Sequence, residues 1–539
     1  MGRCVHSIGR MEREPTARIL APSSLTPMRP SQTLLRVLSW RALLGLGGSI
    51  TLLAPLRAQA EEIRAQFLQI NDIYEISPVS AGREGGIARI ASLRKRLLQQ
   101  NPQTVTVLAG DFFSPSALGT ARWNGQRLAG AQMVASLNAL GLDYATFGNH
   151  EFDLQEPEFQ QRLKESRFGW VSTNVDDAKG QAFAGVKRSD VVTFWSDRCR
   201  PVPRPSNCRP LRIGLVGVTL NSNRMPYVRY RDPQQAIAQV LPELQSRTDA
   251  VVALTHLNLE DDRLLAQAQP GLQLLMGGHD HDNSLQFITP GFRPLAKADA
   301  NGRSVYLHEL RYDTDSRQLQ IQSRLMQIND RIPEDPTVAA VVRTWVARGQ
   351  EYFDTQGVKM EAIVGNTPVP LDGRSTTVRN SSNELTRRIA WTMRRSWSES
   401  EAAIFNSGSI RIDDWLPVGL IRQYDILRVL PFGGAINRVE MRGDLLQQVL
   451  IEGWQNRGNG GFLQWNGIER QSDIDWRING QPLDLQRWYR IAIGAYLLTG
   501  EEQDLGFLTR QNPGLRFLAE GTDLRQAVIR DWKDFRPGP

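Results

Sequence analysis

Tyr144-Ala145-Thr146-Phe147-Gly148-Asn149-His150-Glu151-Phe152-Asp153 passes from a short apolar run straight into six residues dense in metal-capable side chains. The apolar part reads as a buried strand and the Gly-Asn-His-Glu-Phe-Asp part as the polar rim at its carboxyl end. Working outward, the same arrangement recurs four times. Residues 65–70 lead into Asn71-Asp72-Ile73-Tyr74, residues 104–109 into Gly110-Asp111, residues 250–254 into Thr255-His256, and residues 272–276 into Gly277-Gly278-His279-Asp280-His281. Four of the chain's 6 histidines fall in these segments. Polar groups at the carboxyl ends of neighbouring strands converge on one rim of a sheet. Because residues i and i+2 of an extended segment face the same way, Asp72 points with Tyr74 and His279 with His281. A single Gly-Asp or Asn-His pair is ordinary turn chemistry; five in order, each at a strand end, describe a site.

The mixture of donors suits two divalent ions. Such a pair, about 3.5–4 Å apart, needs one carboxylate to bridge it and nitrogen and oxygen ligands on either side. Asp111, which follows a glycine turn in mid-series, is the natural bridge. Hydrolysis of a phosphate ester is the reaction such a centre serves.

The order Asn-Asp-x-x, Gly-Asp, Gly-Asn-His-Glu-Phe-Asp, Thr-His, Gly-Gly-His-x-His resembles the calcineurin-like metallophosphoesterases, and the full Gly-Asn-His-Glu-Phe-Asp string resembles their 5′-nucleotidase branch. The resemblance implies a first metal held by Asp72, Asp111 and His281, and a second held by Asp111, Asn149, His256 and His279. It also implies a catalytic dyad of His150 and Asp153, the carboxylate fixing the imidazole's tautomer. One position departs from the family pattern, which has His where this chain has Tyr74. Tyrosine keeps its proton up to a pKa of about 10. It therefore ligates only a strongly acidic metal, as with iron(III) in the similar purple acid phosphatases. Otherwise the first site has lost a nitrogen ligand. The expected cofactors are two divalent ions, manganese, zinc or cobalt, with iron if Tyr74 ligates.

Beyond Asp335-Pro336, residues 337–352 carry apolar side chains at helical spacing, with Gly357 beyond them, and read as a connecting helix. From residue 363 the chain resembles the C-terminal domain of 5′-nucleotidases, in Val364-Gly365-Asn366-Thr367, Phe405-Asn406-Ser407-Gly408-Ser409-Ile410-Arg411, Val429-Leu430-Pro431-Phe432-Gly433-Gly434 and Gly458-Asn459-Gly460-Gly461-Phe462-Leu463. By that resemblance a nucleoside base stacks between Phe432 and Tyr496, Arg379 and Arg411 grip the phosphate side with Asn406 beside them, and Asp504 takes the place of an acidic residue in a turn after the second ring. Aromatic faces and guanidinium forks suit those tasks. Ser407 and Ser409 stand where the family has glycines. The sequence leaves open whether they narrow the site or donate to phosphate.

These readings give an α/β chain: a four-layer αββα metallophosphoesterase sandwich followed by a smaller α/β (α+β) substrate-binding domain. The expected partition is an N-terminal extension and export signal at 1–60, the phosphoesterase domain at 61–330, a connecting helix at 331–362 and the nucleotide-binding domain at 363–539. Within the first domain, residues 86–99 and 131–140 alternate with the strands as helices should. The expected activity is phosphate removal from nucleotides, first of all from nucleoside 5′-monophosphates. The same halves also resemble 2′,3′-cyclic-nucleotide phosphodiesterases and UDP-sugar hydrolases, and a nucleotide-binding protein with a degenerate metal site is the reading outside enzymes.

At the amino end, Arg29, Arg36 and Arg41 precede an apolar stretch over residues 42–56, and Ala58-Gln59-Ala60 supplies a small-x-small cleavage pattern ahead of Glu61. Met28 is the better initiator. The expected location is outside the cytoplasm, periplasmic or secreted, with no stable membrane anchor after cleavage. Cys199 and Cys208 then meet oxidising conditions and are expected to pair. The formal net charge is +7, yet no long basic run is interleaved with aromatics, so a nucleic-acid polymer is not an expected partner.

Overall fold

A computed structural model describes residues 61–532; the expected export signal and Met28 lie outside the described residues. The site is positioned by two sheets. In the first, of seven strands, Glu62–Ile70, Thr104–Ala109 and Tyr144–Thr146 run parallel, with Ile70 beside Leu108 and Ala109 beside Thr146. Ser304–Asp313 lies antiparallel on the other side of Glu62–Ile70 and pairs in turn with Leu319–Gln327. The second sheet, of six strands, has the parallel series Leu211–Thr219, Ala250–His256, Leu272–Gly277 and Arg293–Lys297. Strands covered on both faces read as continuous apolar runs rather than alternations, which is why residues 250–254 carry no period of two.

Phe67, Val107 and Val171 from the first sheet pack against Ile213, Val252, Leu254, Leu274 and Met276 from the second. Complete burial of a side chain of this kind stabilises by roughly 1.5–3 kcal/mol. Helices Ile87–Gln100 and Ala131–Leu140 cover the outer face of the first sheet, and helices Pro233–Arg247 and Leu259–Ala268 that of the second. The layers are therefore αββα.

The long helix of the middle of the chain spans Pro336–Thr355. Asp335 caps it, its carboxylate accepting from Thr337 N and Val338 N, and Pro336 occupies the first turn, where a missing N–H costs nothing. Its apolar stripe, Val338, Ala339, Val342 and Phe353, packs into the core of the first unit against the helices at 87–100 and 131–140. The helix is thus part of that unit's outer layer.

The C-terminal part centres on a five-stranded sheet ordered Leu463–Asn466, Ala402–Asn406, Trp488–Gly494, Ala435–Arg442, Leu515–Asp523. Glu384–Arg395 and Leu524–Asp531 pack on one face and Gly443–Gln455 on the other. Asn406 ends its strand, and Arg411 follows a short turn at Ser407–Ser409. A disulfide joins Cys199 to Cys208.

Candidate active site

Each sheet delivers its polar strand ends to one place. Asp72 and Asp111 are fully buried, and their partners within ion-pair distance are imidazoles: His256 Nε2 lies 3.2 Å from Asp111 Oδ2 and 3.9 Å from Asp72 Oδ1, and His281 Nε2 lies 3.3 Å from Asp72 Oδ1. Two donor groups result, Asp111 with His256 and His279, and Asp72 with Asp111 and His281, each with its ligand atoms within 4.8 Å of one another. Asp111 belongs to both.

The chain bends sharply to achieve this. Asp72, Asp111, His279 and His281 all have positive φ, between 50° and 85°, a region that costs a non-glycine residue roughly 1–3 kcal/mol. Gly148 lies against the Asp111 carboxylate, where any Cβ would collide with it. Glu151, also fully buried, ties the loops together. Its Oε2 accepts from Asp111 N at 2.9 Å and Gly148 N at 2.6 Å, and its Oε1 from Phe112 N at 2.7 Å and Phe113 N at 3.0 Å. Burial and the Asp111 carboxylate push Glu151 up to about 7, against the pull of those N–H groups. Beneath the His279–His281 loop, buried Lys297 donates to Leu257 O at 2.6 Å and Gly278 O at 2.8 Å. It also pairs with Asp262 at 2.8 Å and with Asp280.

The electrostatics call for positive charge. Burial opposes ionisation of both carboxylates, yet His281 and His256 hold Asp72, and His256 and His150 hold Asp111, below the usual carboxylate range. Burial likewise opposes charge on His256, but Asp111 and then Asp72 draw it up to about 10. His279 is lowered to about 3 by burial and by His256, so its imidazole is neutral and able to ligate. His256 Nδ1 sits 2.8 Å from Ala109 O, which fixes the proton there and leaves Nε2 free to ligate. Asn149 Oδ1 is buried without a hydrogen-bond partner. These observations fit a pair of divalent cations, with Asp72, Asp111 and His281 able to hold one and Asp111, Asn149, His256 and His279 the other. Tyr74 faces the first group: its hydroxyl is 3.0 Å from Asp111 Oδ2 and 2.9 Å from His281 Nε2. Burial, then Asp111 and Asp72, raise its pKa well above 10.

His150 Nδ1 is 2.8 Å from Asp153 Oδ2, and its backbone N–H donates to Asp111 Oδ1 at 2.8 Å. Burial lowers the His150 pKa, but Asp153 and Asp111 outweigh it and the net shift is upward. Ser114 Oγ donates to Asp153 Oδ2 at 2.9 Å, and Asn223 Nδ2 donates to Asp153 Oδ1 at 2.5 Å.

A cleft of about 830 Å³ opens over these groups, lined by Asn149, His150, His279 and His281 from the first part and by Arg379, Arg411 and Asp413 from the second. Arg379 is pushed down to about 10 by burial and by Arg411, and the Nε atoms of both arginines are buried without a hydrogen-bond partner. Two adjacent guanidinium groups of this kind form an anion site.

The aromatic pair is placed differently. Phe432, 49% exposed, lines a neighbouring cleft with Asp153, Ser114 and Arg525, with the Arg411 guanidinium 5.7 Å from its ring centre; Tyr496 is 47% exposed. Asn406 Nδ2 donates to Glu502 Oε2 at 2.6 Å, whereas Asp504 is exposed at a positive-φ turn two residues on. Glu502, not Asp504, is thus the carboxylate beside Asn406. The two serines are satisfied locally: Ser409 Oγ donates to Asn406 Oδ1 at 2.6 Å, and Ser407 Oγ to Gly460 O at 3.1 Å. Sequence reasoning missed Asn223, Lys297, Asp413 and Glu502, which reach the site from segments remote in the chain.

Residues 65–283 match the family model for calcineurin-like phosphoesterase, and residues 363–508 that for the 5′-nucleotidase C-terminal domain. The chain is 25% identical to a 5′-nucleotidase of Bos taurus over 475 residues, covering 77% of this chain and 78% of that one. It is 26% identical to a 5′-nucleotidase of Homo sapiens, covering 72% and 70%. Among solved structures, a 5′-nucleotidase precursor from Thermus thermophilus superposes with a TM-score of 0.69 at 22% identity over 87% of this chain and 96% of that one. A Thermus thermophilus sulfate thiohydrolase shares the fold with a TM-score of 0.64 at 14% identity, over 88% and 95%. With both matches in one chain, the protein carries a calcineurin-like phosphoesterase domain and a 5′-nucleotidase C-terminal domain, the make-up of a metal-dependent phosphoester hydrolase similar to the 5′-nucleotidases.

Proposed function

We propose that this chain is an exported enzyme that removes phosphate from nucleoside 5′-monophosphates, its phosphoesterase part at 61–330 and its nucleotide-binding part at 363–539 sharing one cleft. The observation that carries the reading is the composition of that cleft: the carboxylate–imidazole cluster on one wall and paired Arg379 and Arg411 on the other. Two divalent ions bound by Asp72, Asp111, Asn149, His256, His279 and His281 would neutralise phosphoryl charge and acidify a water for attack on phosphorus.

The remaining work falls to this chain's own side chains. Arg379 and Arg411 grip phosphate oxygens. His150, with Nδ1 held by Asp153, presents Nε2 to the cleft and stabilises charge on the phosphoryl or leaving oxygen. Its raised pKa favours the charged imidazolium that this requires. Phe432 and Tyr496 supply faces for the base, and Asn406 is assigned to the phosphate side with the two arginines. Export is supported by the amino-terminal sequence pattern. No helix among the described residues is long and apolar enough to cross a membrane.

The test uses protein beginning at Glu61 in manganese, zinc or cobalt, with phosphate release measured from AMP, ADP and ATP and nucleoside monophosphate formation measured from UDP-glucose and 2′,3′-cyclic AMP. AMP should lead, and His150→Asn should abolish turnover with bound metal retained. Preference for UDP-glucose or the cyclic nucleotide would reassign the substrate. Nucleotide binding with no release would make the site degenerate.

A further inference from the structure

One short loop of the C-terminal part, Arg411-Ile412-Asp413-Asp414, reaches into the metal-capable cluster of the first part. Asp413 has φ +42°. Its Oδ1 accepts from Ser375 N, and its Oδ2 lies against His281 Nδ1. Buried Asp414 accepts from Arg303 at 3.2 Å and faces Arg428 at 3.9 Å. Arg428 in turn lies 3.6 Å from Glu75, the neighbour of Tyr74, and Glu75 accepts from the Tyr424 hydroxyl at 2.8 Å. The loops that carry Tyr74 and His281 are therefore both held by the C-terminal part.

The two imidazoles that approach Asp72 are oriented in different ways. His256 Nδ1 is held by Ala109 O, on a strand of its own half. His281 turns Nε2 toward Asp72 Oδ1 and the Tyr74 hydroxyl, and its Nδ1 meets Asp413 from the other half. A neutral imidazole ligates through one nitrogen only while the other carries the proton, and a carboxylate at that second nitrogen fixes the tautomer and the ring plane.

We propose that Asp413 is a positioning residue that accepts the Nδ1 proton of His281, so that one ion of the pair is bound at full affinity only while the C-terminal part is docked. This rests on the reading of His281 as a ligand. Arg411 stands two residues before Asp413, so the loop that grips the anion also orients the ligand, and anion binding and affinity for that ion are linked.

The experiment is calorimetric titration of cobalt(II) into metal-depleted protein beginning at Glu61, for the unmodified chain and for Asp413→Ala, Asp413→Asn and His281→Ala, with melting temperatures measured alongside. Asp413→Ala and His281→Ala should weaken the same one of two binding events, Asp413→Ala by about 10- to 100-fold. The other event should keep its affinity. Asp413→Asn, which retains an acceptor oxygen in place, should recover part of the loss. The proposal is overturned if Asp413→Ala binds both ions as the unmodified chain does, if it weakens both equally alongside a lowered melting temperature, or if His281→Ala weakens neither. Because the readout is metal affinity, a protein that binds two ions but releases no phosphate from AMP would sink the nucleotidase reading and leave this one standing.

Discussion

Lys297→Met should destabilise the chain and loosen its metal site together. Lys297 is 1% exposed and Asp262 0%, so methionine would keep the stem but leave a buried carboxylate without its counter-charge. Removing one partner of a buried pair costs about 3–5 kcal/mol. At roughly 2.1 cal/mol/K per residue, a unit of about 470 residues has an unfolding entropy near 1 kcal/mol/K, so the expected fall in melting temperature is about 3–5 °C. The site should follow, because Gly278 O loses its donor and Asp280 its ion pair, and both lie in the loop that presents His279 and His281. Differential scanning calorimetry and metal content per chain would measure the two effects. Adding Asp262→Asn to Lys297→Met removes the stranded charge and should recover part of the melting temperature without restoring the loop. A shift below about 1 °C with full metal content would refute the reasoning.

Four further outcomes are expected. Burial holds His308 neutral, its pKa lowered to about 3, whereas an unfolded histidine titrates near 6.5. The unfolded chain therefore binds the extra proton first as pH falls. Stability from this group is fully present above pH 6.5 and is lost through the window down to 3, with about 2 kcal/mol gone by pH 5. His308→Gln should flatten that part of the denaturant-midpoint profile, and an unchanged slope would count against the account. Asn223→Ala removes a hydrogen bond to the Asp153 carboxylate and should lower kcat by about 10- to 100-fold with KM and metal content little changed; a change confined to KM would mean that Asn223 touches substrate instead. Phe432→Ala or Tyr496→Ala should raise KM for AMP by roughly 5- to 100-fold, from about 1–3 kcal/mol of stacking per ring, and an unaltered KM would remove that ring from the base pocket. Replacing Cys199 and Cys208 together with serine should cost about 2–3 kcal/mol in denaturant unfolding, since the bond closes a loop of 9 residues' separation; no loss would show that this loop is already ordered when the chain is unfolded.

The αββα architecture was legible because its signals are local. A buried parallel strand is a short apolar run, and the polar residues at its carboxyl end follow immediately. The bounds Thr104–Ala109 and Ala131–Leu140 could be read from sequence for that reason. What stayed hidden depends on contacts between distant residues. Lys297 is an ordinary lysine at the end of a strand until Asp262 and Asp280 are folded against it. Glu151 lies inside the most informative motif of the chain, yet its partners are backbone N–H groups, three of them in another loop, which carry no residue-type signal. In the acidic turn at 500–506, no local rule distinguishes Glu502 from Asp504, and the tertiary fold that sets Asn406 beside Glu502 decides it. The helix at Pro336–Thr355 was recognisable by its period and by the proline and glycine at its ends, but the partner of its apolar stripe is a tertiary fact.

The left-handed backbone at Asp72, Asp111, His279 and His281 bears on how this protein can change. Glycine at any of the four would relax the turn and remove a titratable group of the cluster, so the most stable residue there is not one that could hold a metal. Selection for heat resistance alone should therefore erode the centre, and variants recovered from such a screen need to be counted for bound metal as well as for melting temperature. A relative freed from selection for turnover would be expected to acquire glycine at these turns early, while its sheets and its αββα layering persisted.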